Sequence, residues 1–425
     1  MKLTPYWLDT APPFAAGAEG DVSGRVDVAV IGAGFTGLSA ALALAKRGAS
    51  VAVLEAGRVV GEASGRNGGH CNNGTAHDYA GLVAKLGAER AKAYYRAHVD
   101  AVDTVERIVR EEAIDCDFHR PGRIKLAAKP EHYAGLAKAY ETLKDEVDPD
   151  LILVPPEAVR QEIGSDRFHG AMIQTRSAQM HVGRFGVGLA DAAARAGAKV
   201  YEHAAVTGLK RLPDGRWRVS SDRGTLEAGQ VLAATGVSRA GPFGWFRRRI
   251  IPIGAFLIAT EPLDRAVIDR LMPRGGNYVT SRVIGNFFRP SADNRLIFGG
   301  RARFAMSSPS SDLKSGRILQ AAMADFFPEL AGVGIDYCWG GLVEMTADRL
   351  PRAGEHRGLY YAMGYSGHGV QMAVGTGQAM AKVMDGQPEA NPWRELDWPA
   401  VPGHFGPPWF LPLVGAYYRV QDALH

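Results

Sequence analysis

The sequence predicts an α/β fold that opens on a βαβ unit and becomes rich in strands in its second half. Three observations predict it. Val26, Val28, Ala29, Val30 and Ile31 form a nearly continuous apolar run ending at Gly32, which suits a parallel strand buried on both faces. Gly37 to Lys46 is a compact run of small and apolar residues stopped by Gly48, the pattern of a helix. Ala49 to Leu54 is a second apolar strand closed by Glu55, so the whole unit fits within about thirty residues.

The other elements follow in order. The first 24 residues carry aromatics and prolines without periodicity and read as an arm on the surface. From about Asp78 to Glu146 the pattern is helical and charged, and Leu151 to Pro156 marks a change of element. Phe185 to Gly197 is amphipathic. Val206 to Val231 reads as a meander turning at Pro213-Asp214-Gly215, and it leads into a short strand ending on Thr235-Gly236. Residues 250–345 are strand-rich, with one helix near Ile318 to Phe327. Leu359 to Ala362 starts a last strand, followed by a glycine-rich turn and a helix over Thr376 to Met384.

Composition sets limits. The chain has 425 residues with ordinary globular content, which excludes disorder or a fibrous repeat. Lys and Arg total 49 against 45 Asp and Glu, and the densest cluster, Arg247-Arg248-Arg249, reads as a solvated loop rather than a nucleic-acid surface. Cys71, Cys116 and Cys338 are widely spaced, so neither a disulfide framework nor a metal site is expected. The amino terminus lacks an apolar signal segment, and Trp409 to Tyr418 is too short for a membrane span. The expectation is a soluble cytoplasmic protein. Glycine is the outlier, at 52 residues against a usual share of about 7%, which points to close approaches between backbones or to a ligand.

Gly32-Ala33-Gly34-Phe35-Thr36-Gly37 is a GxGxxG at the junction of strand and helix. Gly32 allows the tight turn, Gly34 lets a pyrophosphate touch the backbone, and Gly37 lets helix and strand pack closely. Glu55 ends the second strand, where a carboxylate accepts hydrogen bonds from a ribose and disfavours a 2′-phosphate. A second glycine loop, Gly61 to His70, follows directly. A nicotinamide site has no use for it, whereas a flavin extends past the pyrophosphate into such a loop. A plain surface turn would not need Arg66 and Asn67 set among small residues.

These pieces, with Asp115-Cys116-Asp117, Arg120-Pro121-Gly122, Ser291 to Leu296, Tyr365 to Val370 and Gly415 to Tyr418, resemble the FAD-dependent D-amino acid oxidase-like superfamily. That superfamily includes glycine and sarcosine oxidases, and within it the chain is most similar to the γ-glutamylputrescine oxidase group. The resemblance implies a discontinuous Rossmann-like FAD-binding domain (1–90, 165–240 and 340–425) and a mostly antiparallel α+β substrate domain (91–164 and 241–339). It further implies that FAD is held by Gly32, Gly34, Phe35, Thr36, Gly37, Glu55, Ala63, Ser64, Arg66, Asn67, Gly68, Gly69, Val206, Thr235 and Gly236. Gly367, His368, Gly369 and Val370 are then placed beside the flavin ring.

The implied chemistry is oxidation of the CH–N bond of an amine or amino acid, by hydride transfer to flavin N5 and hydrolysis of the imine. His70, Trp339, Glu344, Tyr365, His368 and Gln371 are the candidate site residues. Core packing remains open for Trp339, a solvated position for Glu344 and a plain turn role for His368. Sarcosine oxidases carry a lysine that helps oxygen react where this chain has Ile297, and a flavin-linking cysteine where it has Gly340-Gly341. Noncovalent FAD is therefore expected, with oxygen or a quinone as acceptor. Gln371 replaces their carboxylate-binding lysine, so sarcosine and glycine are expected to be poor substrates. Glu344, if turned inward, favours a cationic substrate such as a polyamine, unless Arg289 or Arg301 pairs with it. A dehydrogenase of the same fold, a noncatalytic flavin-bearing subunit and an NAD-linked hydroxy-acid dehydrogenase are the other readings.

Overall fold

The computed structural model describes residues 1–238 and 240–424. Its first sheet is built on the predicted βαβ unit. Strand Arg25–Ile31 lies centrally, parallel to Val51–Leu54 on one side and to Gly224–Ala233 on the other. Lys199–Tyr201 extends one edge in parallel, and Leu359–Met363 with antiparallel Arg352–His356 extends the other. Val28 and Val30 pack beneath helices, whereas Ala29 and Ile31 pack beneath the meander of Val206–Arg211 and Trp217–Ser221. Burial on both faces explains why this strand reads as an uninterrupted apolar run.

The second sheet has eight strands, in the order Ile335–Met345, Ile251–Thr260, Leu296–Gly300, Asn286–Pro290, Asn277–Thr280, Arg123–Leu126, Ala171–Gln174 and Ile152–Val154. All its pairings are antiparallel except that of Asn277–Thr280 with Arg123–Leu126. One face packs Phe256, Ile258, Tyr278, Phe288 and Phe298 against helix Pro309–Phe326. The other face presents Leu257, Ile297 and Trp339 to the core of the first domain. The expected α/β fold, Rossmann-like and joined to a mostly antiparallel partner, is the one observed.

Element membership cuts across the expected boundaries. Strand Ala171–Gln174 pairs into the second sheet from within 165–240, and strand Ile335–Met345 crosses from 339 to 340. Helix Ala88–Glu111 packs on helix Gly369–Met384 of the first domain, although most of it falls in 91–164. The helical segment 78–146 is interrupted by strand Arg123–Leu126, and a short helix, Arg265–Leu271, joins the expected one in the strand-rich half.

The amino-terminal arm is also not superficial. Tyr6–Asp9 forms a helical turn that buries Tyr6 and Trp7. Trp7 Nε1 donates to the Asn67 carbonyl at 2.6 Å, and the Arg289 guanidinium lies 4.9 Å from the Trp7 ring centroid. An aromatic ring with an acceptor and a cation to satisfy it is worth more buried than exposed. Trp7→Ala is therefore expected to cost about 3–5 kcal/mol in urea unfolding, as for other buried tryptophans; a loss below about 1 kcal/mol would return the arm to the surface.

Candidate active site

The glycine turn is shaped by contact. Gly32 has φ +105°, and a Cβ there would meet the Ala234 carbonyl oxygen at 2.6 Å. A Cβ on Gly37 would stand 1.9 Å from the Gly32 oxygen, so this helix touches the strand end only because residue 37 is glycine. Gly34 differs: its Cβ would meet only Ser64 Oγ, at 3.0 Å, leaving its other side open. Ser64 Oγ accepts the Phe35 N–H at 3.1 Å, and the Phe35 ring packs edge-on against Phe185. Glu55 accepts the N–H groups of Ala33 and Gly57, each at 2.8 Å, so its carboxylate buttresses the turn. Burial raises its pKa and the two N–H bonds draw it back. Val206 is buried at the start of the meander.

The second glycine loop is bound largely to protein. Arg66 Nε donates to the Gly61 carbonyl at 2.8 Å and Nη1 to that of Gly340 at 3.2 Å. Asn67 Nδ2 donates to the carbonyls of Ala63 and Ser64, and its Oδ1 accepts the Gly69 N–H. Trp339 is fully buried and donates Nε1–H to the Arg66 carbonyl at 3.0 Å, so it ties the two sheets together. The Gly68 carbonyl accepts from Arg289 Nε at 3.0 Å. Gly69 has φ +75° and approaches Arg289 so closely that no Cβ fits.

The third edge is the turn after strand Leu359–Met363. Tyr365 OH and Thr36 Oγ1 lie 2.8 Å apart, joining this turn to the first helix. Burial and the neighbouring Glu344 hold the Tyr365 phenol neutral. Gly367 is exposed with φ +95° and open space around it, and His368, Gly369 and Val370 begin helix Gly369–Met384. Gln371 is buried, its Nε2 donating to the Asn72 carbonyl at 2.5 Å. His70 stands edge-on to Phe287, 5.4 Å between centroids. Burial and the charge of Arg123 hold both His70 and His368 neutral, with Arg289 adding to the first and His98 to the second.

Among the described residues, four polar atoms around this space are buried without a partner: His70 Nε2, Thr235 Oγ1, Glu344 Oε2 and His368 Nδ1. With the open sides of Gly34 and Gly367, they are what a large polar cofactor would complete, so the residues fit FAD. Glu344 does turn inward, but toward Gly236, whose Cβ would lie 2.9 Å from Oε2, and toward the Gly364–Tyr365 backbone. Neither alternative cation pairs with it. Arg289 is spent on carbonyls, and among the described residues Arg301 donates only to Met345 Sδ, at 4.0 Å. The sequence reading missed Arg123, Lys125 and Phe287. The only signal was the alternation of Arg123-Ile124-Lys125-Leu126, which sets two cations on one face of a short strand.

Burial raises the Glu344 pKa from 4.5 to about 7. Its folded pKa lies above the unfolded one, so its contribution is fully present below pH 4.5 and is lost as pH rises through 7. The cofactor-free protein is expected to lose up to about 3 kcal/mol relative to Glu344→Gln across that window. Parallel pH–stability curves for the two proteins would refute the burial of an ionisable carboxyl there.

The match to known proteins spans both sheets. The family model for FAD dependent oxidoreductases, DAO, matches residues 27–383. The γ-glutamylputrescine oxidoreductase of Escherichia coli (strain K12) is 31% identical over 426 residues, covering 99% of this chain and 98% of that protein. A probable oxidoreductase, OrdL, of Haemophilus influenzae is 32% identical over 371 residues, covering 86% and 84%. Among solved structures, L-proline dehydrogenase from P. horikoshii has a TM-score of 0.70 at 19% identity, covering 88% of this chain and 98% of that one. Glycine oxidase from Geobacillus kaustophilus has a TM-score of 0.69 at 23% identity, covering 90% and 98%. Those two establish a common fold, and the family match, running from the first strand to the last long helix, establishes the rest: the chain belongs to the DAO family of FAD-dependent oxidoreductases.

Proposed function

We propose that this enzyme oxidises the CH–N bond of a small amine or amino acid. The observation that carries the reading is the meeting of two helix starts, at Gly34 and His368, joined by the Thr36–Tyr365 hydrogen bond around four unpartnered polar atoms. Bound FAD supplies the acceptor for the hydride. The protein supplies binding and a dry setting. The free N–H groups of the Gly34 helix start would hold an anionic pyrophosphate, and those of the His368 start would stabilise the negative charge of a reduced flavin. His70 and His368, both neutral, add no positive charge and so favour an amine that keeps its lone pair. Gln371 acts as a positioning residue through the Asn72 carbonyl, and Glu344 faces the cofactor from beside Gly236.

FAD is held without a covalent bond in this reading. Cys338 points away into the second core, its Sγ donating to the Asp312 carbonyl at 3.2 Å and its pKa pushed up to about 11 by burial. Position 341 has no side chain to link. Ile297 is buried and apolar, which supports a quinone or another carrier as acceptor over oxygen. The three buried free thiols suit a reducing cytoplasm.

The test is anaerobic bleaching of the purified yellow protein by a panel of amines and amino acids, followed by reoxidation with oxygen and with a quinone. Bleaching by none of them would sink the reading. Gly34→Val, whose Cβ would press on Ser64 Oγ and whose branch would crowd the turn, is expected to fold yet keep less than about a tenth of the flavin, a binding loss of about 1.4 kcal/mol or more. Acid precipitation is expected to leave the flavin in the supernatant; flavin in the pellet would establish a covalent link.

A further inference from the structure

Residues 398–421 hold no Asp or Glu, and neither do residues 240–260 or 301–308. The fold brings these segments together. The Val401 N–H donates to the Arg248 carbonyl at 2.9 Å, and Arg249 Nε donates to the Trp398 carbonyl at 2.7 Å. His404 Nε2 meets the Ile250 carbonyl at 2.8 Å. Helix Leu411–Leu424 then packs on Phe304 through Leu411, Val414 and Tyr418, and the Tyr418 ring stacks on that of Phe304 with 5.7 Å between centroids.

The opposite side of that helix is apolar as well. Leu413, Tyr417 and Val420 follow one another at i, i+4 and i+7, and each is more than half exposed. Just before the helix, Phe405 is 74% exposed and Trp409 68%. Of the ten large apolar side chains exposed among the described residues, five therefore lie between Phe405 and Val420. Such a concentration marks an interaction surface, whereas scattered exposure would not. Cations border it. The exposed Arg248 guanidinium lies 5.5 Å from the Phe405 ring centroid. Arg247 and Arg249 are spent on backbone carbonyls, and among the described residues no carboxylate pairs with any of the three.

The stripe asks for few hydrogen bonds. Trp409 Nε1 already donates to the Gly403 carbonyl at 3.2 Å, and Tyr417 OH accepts from Gln421 Nε2 at 3.4 Å. A boundary of hydrocarbon and phosphate suits such a surface, since Trp and Tyr settle at headgroup level and arginines meet the lipid anions. A second copy of the chain suits it less, because a twofold contact would set the arginines of one face against those of the other. Among the described residues no helix is long and apolar enough to cross a membrane, so the contact is one of lying on the surface.

We propose that the face of Phe405, Trp409, Leu413, Tyr417 and Val420, bordered by Arg248, docks onto an anionic lipid surface. This docking is separate from the CH–N chemistry, because none of these residues belongs to the cofactor cradle.

The test sediments the FAD-loaded enzyme with vesicles of phosphatidylglycerol or of phosphatidylcholine, and uses brominated phosphatidylglycerol to quench tryptophan fluorescence. The anionic vesicles are expected to bind at least about tenfold more tightly than the neutral ones, with affinity falling as salt rises. Leu413→Gln is expected to weaken that binding by about tenfold and Arg248→Gln by about fivefold. Trp409→Phe is expected to keep binding within about threefold yet lose most of the bromine quenching, since one aromatic ring replaces another. All three variants are expected to retain their flavin. Binding to neither vesicle, equal binding to both, or binding unaltered by Leu413→Gln would overturn the proposal. A wild-type dimer that Leu413→Gln turns into a monomer would give this face to a second copy and overturn it as well.

Discussion

One contact sets the geometry of the rest. The helix beginning at Phe35 lies against the end of its own strand because nothing projects from Gly37 toward the Gly32 carbonyl. That closeness brings the free N–H groups of the helix start over the sheet edge, leaves one side of Gly34 open, and aims Thr36 at Tyr365. The Tyr365 turn in turn fixes where the second long helix begins. Along their length the two helices stay close because Gly377 meets the Thr36 carbonyl and Ser39 donates to the carbonyl of Val374 at 2.8 Å. A single steric allowance therefore propagates, through one hydrogen bond and one helix contact, to the positive ends of both helices.

The electrostatics of the site divide in space. Beside Gly236 stands a buried carboxyl, Glu344, among backbone N–H groups and a neutral phenol. The charge of Arg123, on strand Arg123–Leu126, acts on the two neutral imidazoles of His70 and His368. Histidine neutrality follows from this layout, since each ring sits in a low-dielectric place already near a fixed positive charge.

What was legible in the sequence was local. The turn at Gly32 to Gly37, the strand before it and Glu55 after it are encoded by neighbours, and they read correctly as one unit. The second loop was legible as a loop, but the roles of Arg66 and Asn67 were not, because their partners at Gly61, Gly340 and Gly69 depend on how strands from distant segments meet. Strand Arg123–Leu126 was hidden for a different reason. Four residues between two long helices give too short an alternation to register, and its partners come from 171–174 and 277–280. Sheet membership across the expected domain limits was hidden likewise, since it is decided by non-local pairing. Trp7 carries no local signal at all, since a tryptophan beside prolines looks the same on a surface as in a core.

The buried arm bears on how the chain assembles. Residues 1–9 bind to the Asn67 loop, to Arg289, to Asp293 and to the strand around Tyr337. Contacts of such sequence separation form late, because the intervening loop must close before they are rewarded. Docking of the arm therefore depends on the second sheet, and through the Asn67 carbonyl it fastens the second glycine loop to that sheet.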